Sequence, residues 1–328
     1  MFSRTQISMA QIILMCRMQD LVNKTQHKMD WINESDFKRP DHRAAYIELV
    51  EGLIHKGWGE WWKQSPVLTE SQLHQVRLEV VDVFHFLISL ELRSTHALNV
   101  IHPDQAIDPI EYVSGVIHSA FEETPQPGAE IDEDQDDVDF DVNTYFDQLV
   151  GGLALDQTIN WQAFVNIMDM LNMSPEYLFA WYVGKNTLNM FRGCNGYKQG
   201  RYVKSDWDKM TEGCGSVGAE TDLHQYFGAE DNIFLEHIIT DALAKSEKLT
   251  PQYVYDRLSD GYYEVLGARF IKDGQGSTLF LDGHIAWADT EDGIRWAIPQ
   301  PGVNVDDLTY HDYNGWSGDK QPQLLTLG

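Results

Sequence analysis

The chain has 328 residues, 43% of them hydrophobic, which is enough to bury a full core as one large domain or as a domain with a small appendage. Its 51 acidic residues against 24 Lys and Arg leave a formal net charge of -27, which repels duplex nucleic acid and anionic lipid and obliges any phosphorylated ligand to find local cations. The three cysteines, Cys16, Cys194 and Cys214, stand far apart without a Cys-x-x-Cys pair, so neither a disulfide framework nor a zinc site is indicated and a reducing cytoplasm fits.

Along the chain, apolar residues recur at helical spacing over Ile7 to Val22, Tyr46 to Ile54, Leu73 to Leu92, Ile110 to Phe121, Trp161 to Leu171, Tyr177 to Phe191 and Ile233 to Leu243. The apolar run Ile12 to Met15 is short and is followed by Arg17, Gln19 and Asp20, so it predicts an amphipathic helix, with neither a signal peptide nor a membrane span. Between Glu122 and Asp141 lie ten acidic residues and no Lys or Arg, with Pro125, Pro127 and Gly128 among them, the pattern of a solvated loop over 122-142. After Ser259 the pattern changes: Tyr262 to Ile271, Thr278 to Leu281, His284 to Ala288 and Ile294 to Ile298 read as strands, with Asp273-Gly274, Asp282-Gly283 and Asp292-Gly293 as turns. The expectation is a mainly α helical bundle over 1-245 followed by an extension over 246-328 that carries a small antiparallel β unit. In that unit Trp287, Trp296 and Trp316 would serve as packing aromatics, because short hairpins need large side chains.

Four carboxylates carry the chemistry. Glu48 and Glu51 lie three residues apart on one predicted helix, and Glu79 and Asp82 three apart on another, so each pair shares a face. The second pair interrupts the run Leu78 to Ile88, which is otherwise almost a core helix, and two uncompensated carboxylates would be costly there. Lys or Arg partners would remove that cost, but only Arg77 is close in sequence; a divalent ion would remove it too, and hard oxygen ligands suit magnesium. The plainer alternative is two solvent-facing acidic pairs. His85, one turn beyond, fits a supporting or packing role better than ligation.

With Glu48-x-x-Glu51, Gly57-Trp58-Gly59-Glu60-Trp61-Trp62-Lys63 and Glu79-Val80-Val81-Asp82-Val83-Phe84-His85-Phe86, the chain resembles the dimeric, all-α dUTPase family of the all-α NTP pyrophosphatase superfamily, whose signature is E-x-x-E followed by E-x-x-D. Upstream, Gln19 to Thr25 and Trp31 are similar to the segment in which that family reads uracil. Side-chain amides offer both a donor and an acceptor to a pyrimidine edge, and an aromatic ring can stack on it; without the resemblance, Gln19 and Asn23 would pass as exposed helix residues. Downstream, Gly184 to Arg192, Asn195 to Lys204 and Glu230-Asp231-Asn232 look like the family's G-K-x-x-L-N-x-x-R, G-Y-K-x-G-x-Y-x-K and E-D-N blocks. Two departures stand out: Gln26-His27 replaces an Asn-Gly, and an insertion over 206-227 separates the last two blocks.

The resemblance implies hydrolysis of dUTP, and of dUDP, to dUMP in the cytoplasm, of the host if the chain is viral. It places two or more Mg2+ ions, or Mn2+ instead, on Glu48, Glu51, Glu79 and Asp82, which also become the catalytic residues. Gln19, Asn23 and Trp31 would bind the base; Lys63, Lys185, Asn189, Arg192, Tyr197, Lys198 and Lys204 would bind the phosphates. The expected partners are a deoxynucleoside triphosphate and a second copy of the chain. Two alternatives stay open: a dCTP or dual dCTP/dUTP diphosphatase, as in some phage relatives, and a non-catalytic nucleotide- or protein-binding module on the same fold.

Overall fold

The computed structural model describes residues 7–26, 30–34, 38–55, 57, 68–124, 142–195, 197, 202–204, 230–272, 278–281, 285–290, 293–297, 309 and 311–312. The acidic loop between 125 and 141, the insertion over 206-227, and Lys63, Lys198 and Cys214 lie outside these residues. The described residues are mainly helical, and the chain divides into two compact units, Met1–Val183 and Gly184–Gly328.

In the first unit, α1 (Met9–Gln26), α2 (Asp41–His55), α3 (Glu70–Ile101), α4 (Pro109–Glu123), α5 (Val142–Leu155) and α6 (Trp161–Met170) follow one another, and α7 (Pro175–Cys194) begins. Helix starts are chemically marked. Thr69 caps α3 in a reciprocal box with Gln72, Asp108 accepts from the Ile110 and Glu111 amides ahead of α4 with Pro109 at its first position, and Asn160 accepts from the Ala163 amide. At 32 residues, α3 is about 48 Å long and forms the spine of this unit. Val80, Val81, Val83, Phe84, Leu87 and Ile88 are all buried along it, and Phe84 stacks on Phe164 at 5.1 Å. Helices α2 and α5 both pack on this part of the molecule: Gly52 of α2 faces Phe146 of α5 and Glu79 of α3, so close that an added Cβ would stand 3.4 and 3.6 Å from them.

The second unit holds the end of α7, then α8 (Asp231–Ala244) and α9 (Pro251–Lys272). Gly184 lies directly against Ile239 and Leu235 of α8. An aromatic cluster forms from Phe191, Tyr202, Tyr255 and Tyr262, with Tyr202 and Tyr262 stacked at 5.0 Å. One expectation is corrected here. Tyr262 to Ile271 is helix, the continuation of α9, and not a strand. Buried Val254, Tyr255, Leu258 and Tyr262 fall at helical spacing, so the aromatic and branched residues that suggested a strand extend a helix begun at Pro251. Helix α5 was also absent from the sequence-based expectation. Beyond α9, the backbone segments β1 (Thr278–Leu281), β2 (Ile285–Thr290), β3 (Gly293–Ala297) and β4 (His311–Asp312) pair antiparallel in sequence order.

The adjacent glycines of α5 test this packing with opposite signs. A Cβ at Gly152 would stand 2.9 Å from the Thr158 carbonyl, a backbone atom held by the Thr158 amide bond to Gly152 O, whereas one at Gly151 would meet nothing within 4 Å. Gly151→Ala is expected to raise stability by roughly 0.5 to 1 kcal/mol through helix propensity, and Gly152→Ala to lower it by about 1 to 3 kcal/mol. Chemical denaturation of the two variants checks the pair; equal effects would contradict the packing at Thr158.

Candidate metal centre

Helices α2 and α3 bring the two acidic pairs together. Glu48, Glu51 and Glu79 each offer an oxygen, and these oxygens all lie within 4.8 Å of one another. Asp82 is outside that triad, yet its charge acts on Glu48. The Glu48 carboxyl is pushed up to about 8, first by burial and then by the negative charges of Asp82, Glu79 and Glu51. Arg77, the cation nearest in sequence, is turned elsewhere: Nε donates to Leu171 O at 2.8 Å and Nη1 pairs with Glu70 at 2.6 Å. His55 Nε2, at the end of α2, stands 3.3 Å from Glu79 Oε1. His85 holds Nδ1 at 2.9 Å from Val81 O and 3.9 Å from Asp82, and its ring stacks on Tyr182 at 4.1 Å, which gives it a packing and orienting place beside the acids.

The donor set fits a hard divalent cation. Three carboxylate oxygens converge within the span one ion can bridge, with the His55 imidazole beside Glu79, and burial together with the neighbouring negative charges raises the Glu48 carboxyl. Lowering that repulsion is what a cation at this point would do.

Gln19, Asn23 and Trp31, expected on the base side, come together in the same unit, and all three are buried. Gln19 Nε2 donates to Asn23 Oδ1 at 3.2 Å, Asn23 Nδ2 donates to Ser89 Oγ at 3.0 Å, and Tyr182 OH donates to Gln19 Oε1 at 3.0 Å. The view of Gln19 and Asn23 as exposed helix residues is thereby excluded. The Trp31 indole donates to Asp20 at 3.0 Å, and the Arg39 guanidinium lies 4.8 Å from the centre of its ring. Arg39 was missed by the sequence reading. It sits outside any periodic segment, and only the fold brings it to Asn23, where Nη2 donates at 2.7 Å, and to Asp41, where Nε meets both oxygens at 3.0 Å. Arg93 of α3 completes the group, with Nη1 donating to Asp41 Oδ2 at 3.0 Å and to Arg39 O at 2.8 Å and Nη2 to Glu34 O at 2.6 Å. Burial raises the Asp41 carboxyl above its ordinary range against the opposing pull of Arg39 and Arg93.

In the second unit, Arg192 makes a two-pronged ion pair with Asp231, at 2.8 Å through Nε and 2.7 Å through Nη2, and Nη1 reaches Asn189 Oδ1 at 3.3 Å. Burial works against the Arg192 charge, and the Asp231 bonds outweigh it, leaving the guanidinium firmly protonated. Tyr202 OH donates to the same carboxylate at 2.7 Å. Asp231, fully buried, is therefore the anchor of this segment, a role the sequence suggests only as part of an E-D-N block. Lys204 pairs with Glu230 at 3.1 Å, Tyr197 is exposed, and Lys185 and Asn189 share α7 with Arg192. Cys16 and Cys194 are free thiols.

No helix among the described residues is long and apolar enough to cross a membrane. A search of curated proteins returned no match to this chain. A family model described as dUTPase does match it, over residues 11–197, a stretch that includes Gln19, Asn23, Trp31, all four acids, Asn189 and Arg192. That match supports a hydrolase acting on a nucleotide substrate. Since the model covers more than half of the sequence, including both helices that carry the acidic pairs, the chain belongs to the dUTPase family.

Proposed function

We propose that the chain hydrolyses dUTP, and dUDP, to dUMP, with Mg2+ held by Glu48, Glu51, Glu79 and Asp82. The observation that carries this reading is the convergence of three carboxylates within 4.8 Å in a family of nucleotide hydrolases. Bound divalent metal would supply charge neutralisation at the phosphates and an acidified water for attack. The protein's own groups do the rest. Glu48 and Glu51 from α2 and Glu79 and Asp82 from α3 would hold that metal between two helices, so its position, and with it that of a phosphate it binds, would be set before reaction. Lys185, Arg192 and Lys204, with Asn189 and Tyr197, bind the remaining phosphate charge. Asp231 holds the Arg192 fork in one orientation, and the exposed pair of Lys204 with Glu230 is weak enough to exchange for a phosphate. Gln19, Asn23 and Trp31 form the base side. The same proposal assigns 1-245 to this activity in a homodimer, and gives the 246-328 extension, with its β unit, a stabilising or interaction role.

Two measurements test it. Glu79→Gln should lower dUTP turnover by roughly a thousandfold or more, since several kcal/mol of metal-dependent stabilisation is lost. The same change relieves repulsion on Glu48, so the metal-free variant should melt no lower than the parent. Full activity of this variant in a pyrophosphate-release assay would remove the metal site from the mechanism. The second test is pH. The folded protein binds a proton on Glu48 more tightly than the unfolded chain does, so this contribution to stability is complete at pH below the ordinary carboxylate value of 4.5 and declines as pH rises towards about 8. Added Mg2+ replaces that proton. Its stabilising shift in Tm should therefore be larger at pH 8.5 than at pH 5.5, both values chosen to bracket roughly the titration range; a shift independent of pH, measured by scanning calorimetry, would argue against the acids as its site.

A further inference from the structure

Arg39 is 7% exposed, and its Nη1 meets no hydrogen-bond acceptor among the described residues. Every other part of the guanidinium is engaged: Nε by the Asp41 carboxylate, Nη2 by Asn23 Oδ1, and its face by the Trp31 ring. A buried charged donor left unsatisfied is among the costlier defects a fold can carry, and it points to an acceptor that arrives from outside. The surroundings narrow what that acceptor is. Asn23 Oδ1 takes donors from Gln19 and Arg39 while Nδ2 is given to Ser89, so the amide is fixed in one orientation. Arg93 ties Asp41, Arg39 O and Glu34 O together, so the Arg39 fork is held rigidly rather than free to swing towards a surface anion. A rigid donor beside an indole and two amides suits a planar heterocycle bearing a carbonyl more than a phosphate.

We propose that Arg39 is a specificity-determining residue that reads the exocyclic oxygen at position 4 of a keto pyrimidine through Nη1. This rests on the assignment of Gln19, Asn23 and Trp31 to the base side of the nucleotide site. A guanidinium only donates. Uracil presents a carbonyl acceptor at position 4, whereas cytosine presents an amino donor there, and two donors facing each other leave both unsatisfied in a buried place. Discrimination by such an unpaired group exceeds what shape alone provides, because the two bases are nearly the same size.

The test compares kcat/KM for dUTP, dCTP and the deoxynucleoside triphosphate of 2-pyrimidinone, which has hydrogen at position 4, in the unaltered protein and in Arg39→Lys. Lysine keeps a positive charge beside Asp41 but removes the Nη donors. The unaltered protein should favour dUTP over dCTP by about a hundredfold or more, and Arg39→Lys should reduce that preference to within about tenfold, mainly through the KM of dUTP. Any loss from misplacing Asn23 or Asp41 falls on every substrate alike, so dUTP should lose at least about tenfold more than the pyrimidinone substrate does. Equal use of dUTP and dCTP by the unaltered protein, or an unchanged preference in Arg39→Lys, overturns the proposal. If Arg39→Lys fails to fold by circular dichroism, the unaltered protein decides alone: dUTP should exceed the pyrimidinone substrate at least about tenfold, and equality overturns the assignment. Absence of turnover with every nucleotide would instead remove the hydrolase reading. Arg39 is then judged by equilibrium binding, where dUMP must bind more tightly than dCMP.

Discussion

Mutual repulsion among carboxylates crowded between α2 and α3 is the constraint around which the first unit is built. Those helices pack on one another through buried apolar side chains, yet they also bring together Glu48, Glu51 and Glu79, with Asp82 adding its charge. Left to itself, that face would drive the helices apart. What holds them is distributed on either side of it: the buried run Val80 to Ile88 of α3, the contact of Phe146 on α5 with Gly52, and the ion-paired group of Asp41 with Arg39 and Arg93. An arrangement that sacrifices local stability at one point and recovers it around the point is what a binding site requires, because the same repulsion raises affinity for any cation that relieves it.

The Asp41 group has a geometric consequence as well as an energetic one. Asp41 begins α2, two turns before Glu48, and Arg93 lies three turns after Asp82 on α3, so one buried ion pair fixes the relative height of both acid-bearing helices. Two charges buried this way contribute less to net stability than their distance suggests, since desolvation offsets the attraction, but breaking the pair leaves an uncompensated charge inside. The pair therefore acts as a register pin more than as an adhesive. Through Arg39 the same pin reaches Asn23 and Trp31, so the acidic cluster and the group of Gln19, Asn23 and Trp31 are tied to one piece of buried polar structure.

Much of this could be read before the fold was known, and the parts that could not share a cause. The helices carrying the acids announce themselves by periodic apolar residues, and the acids by their i, i+3 spacing within an oily run, so α2, α3 and the pairing of acids on each helix were legible. Helix α5 was not, because it follows directly on the acidic loop and contains Gly151-Gly152, both of which weigh against a helix locally; tertiary packing of Tyr145, Phe146 and Leu149 overrides them. The far half of α9 looked like a strand because aromatic and branched residues are shared by both classes. Arg39 lay in a polar stretch with no period at all, and its meaning depends on partners 16 and 54 residues away, distances at which sequence spacing carries no geometric information.

Charge poses the remaining problem: a chain of net charge -27 is assigned a polyanionic substrate. The proposed role of Arg192 and Lys204 reconciles the two. A guanidinium held in two prongs by a fully buried Asp231, itself bonded by Tyr202, has already lost most of its hydration and its rotational freedom. Such a cation neutralises less charge than a free one, but it spends little reorganisation in meeting a phosphate oxygen. Lys204, by contrast, keeps an exposed partner in Glu230, the kind of pair that exchanges readily. Pairing Arg192 with Asp231 and Lys204 with Glu230 also offsets the charge of these two cations in the absence of nucleotide. On the proposed assignment, long-range attraction is given up in favour of local preorganisation, and selectivity for a phosphorylated ligand would come from fit at close range rather than from steering.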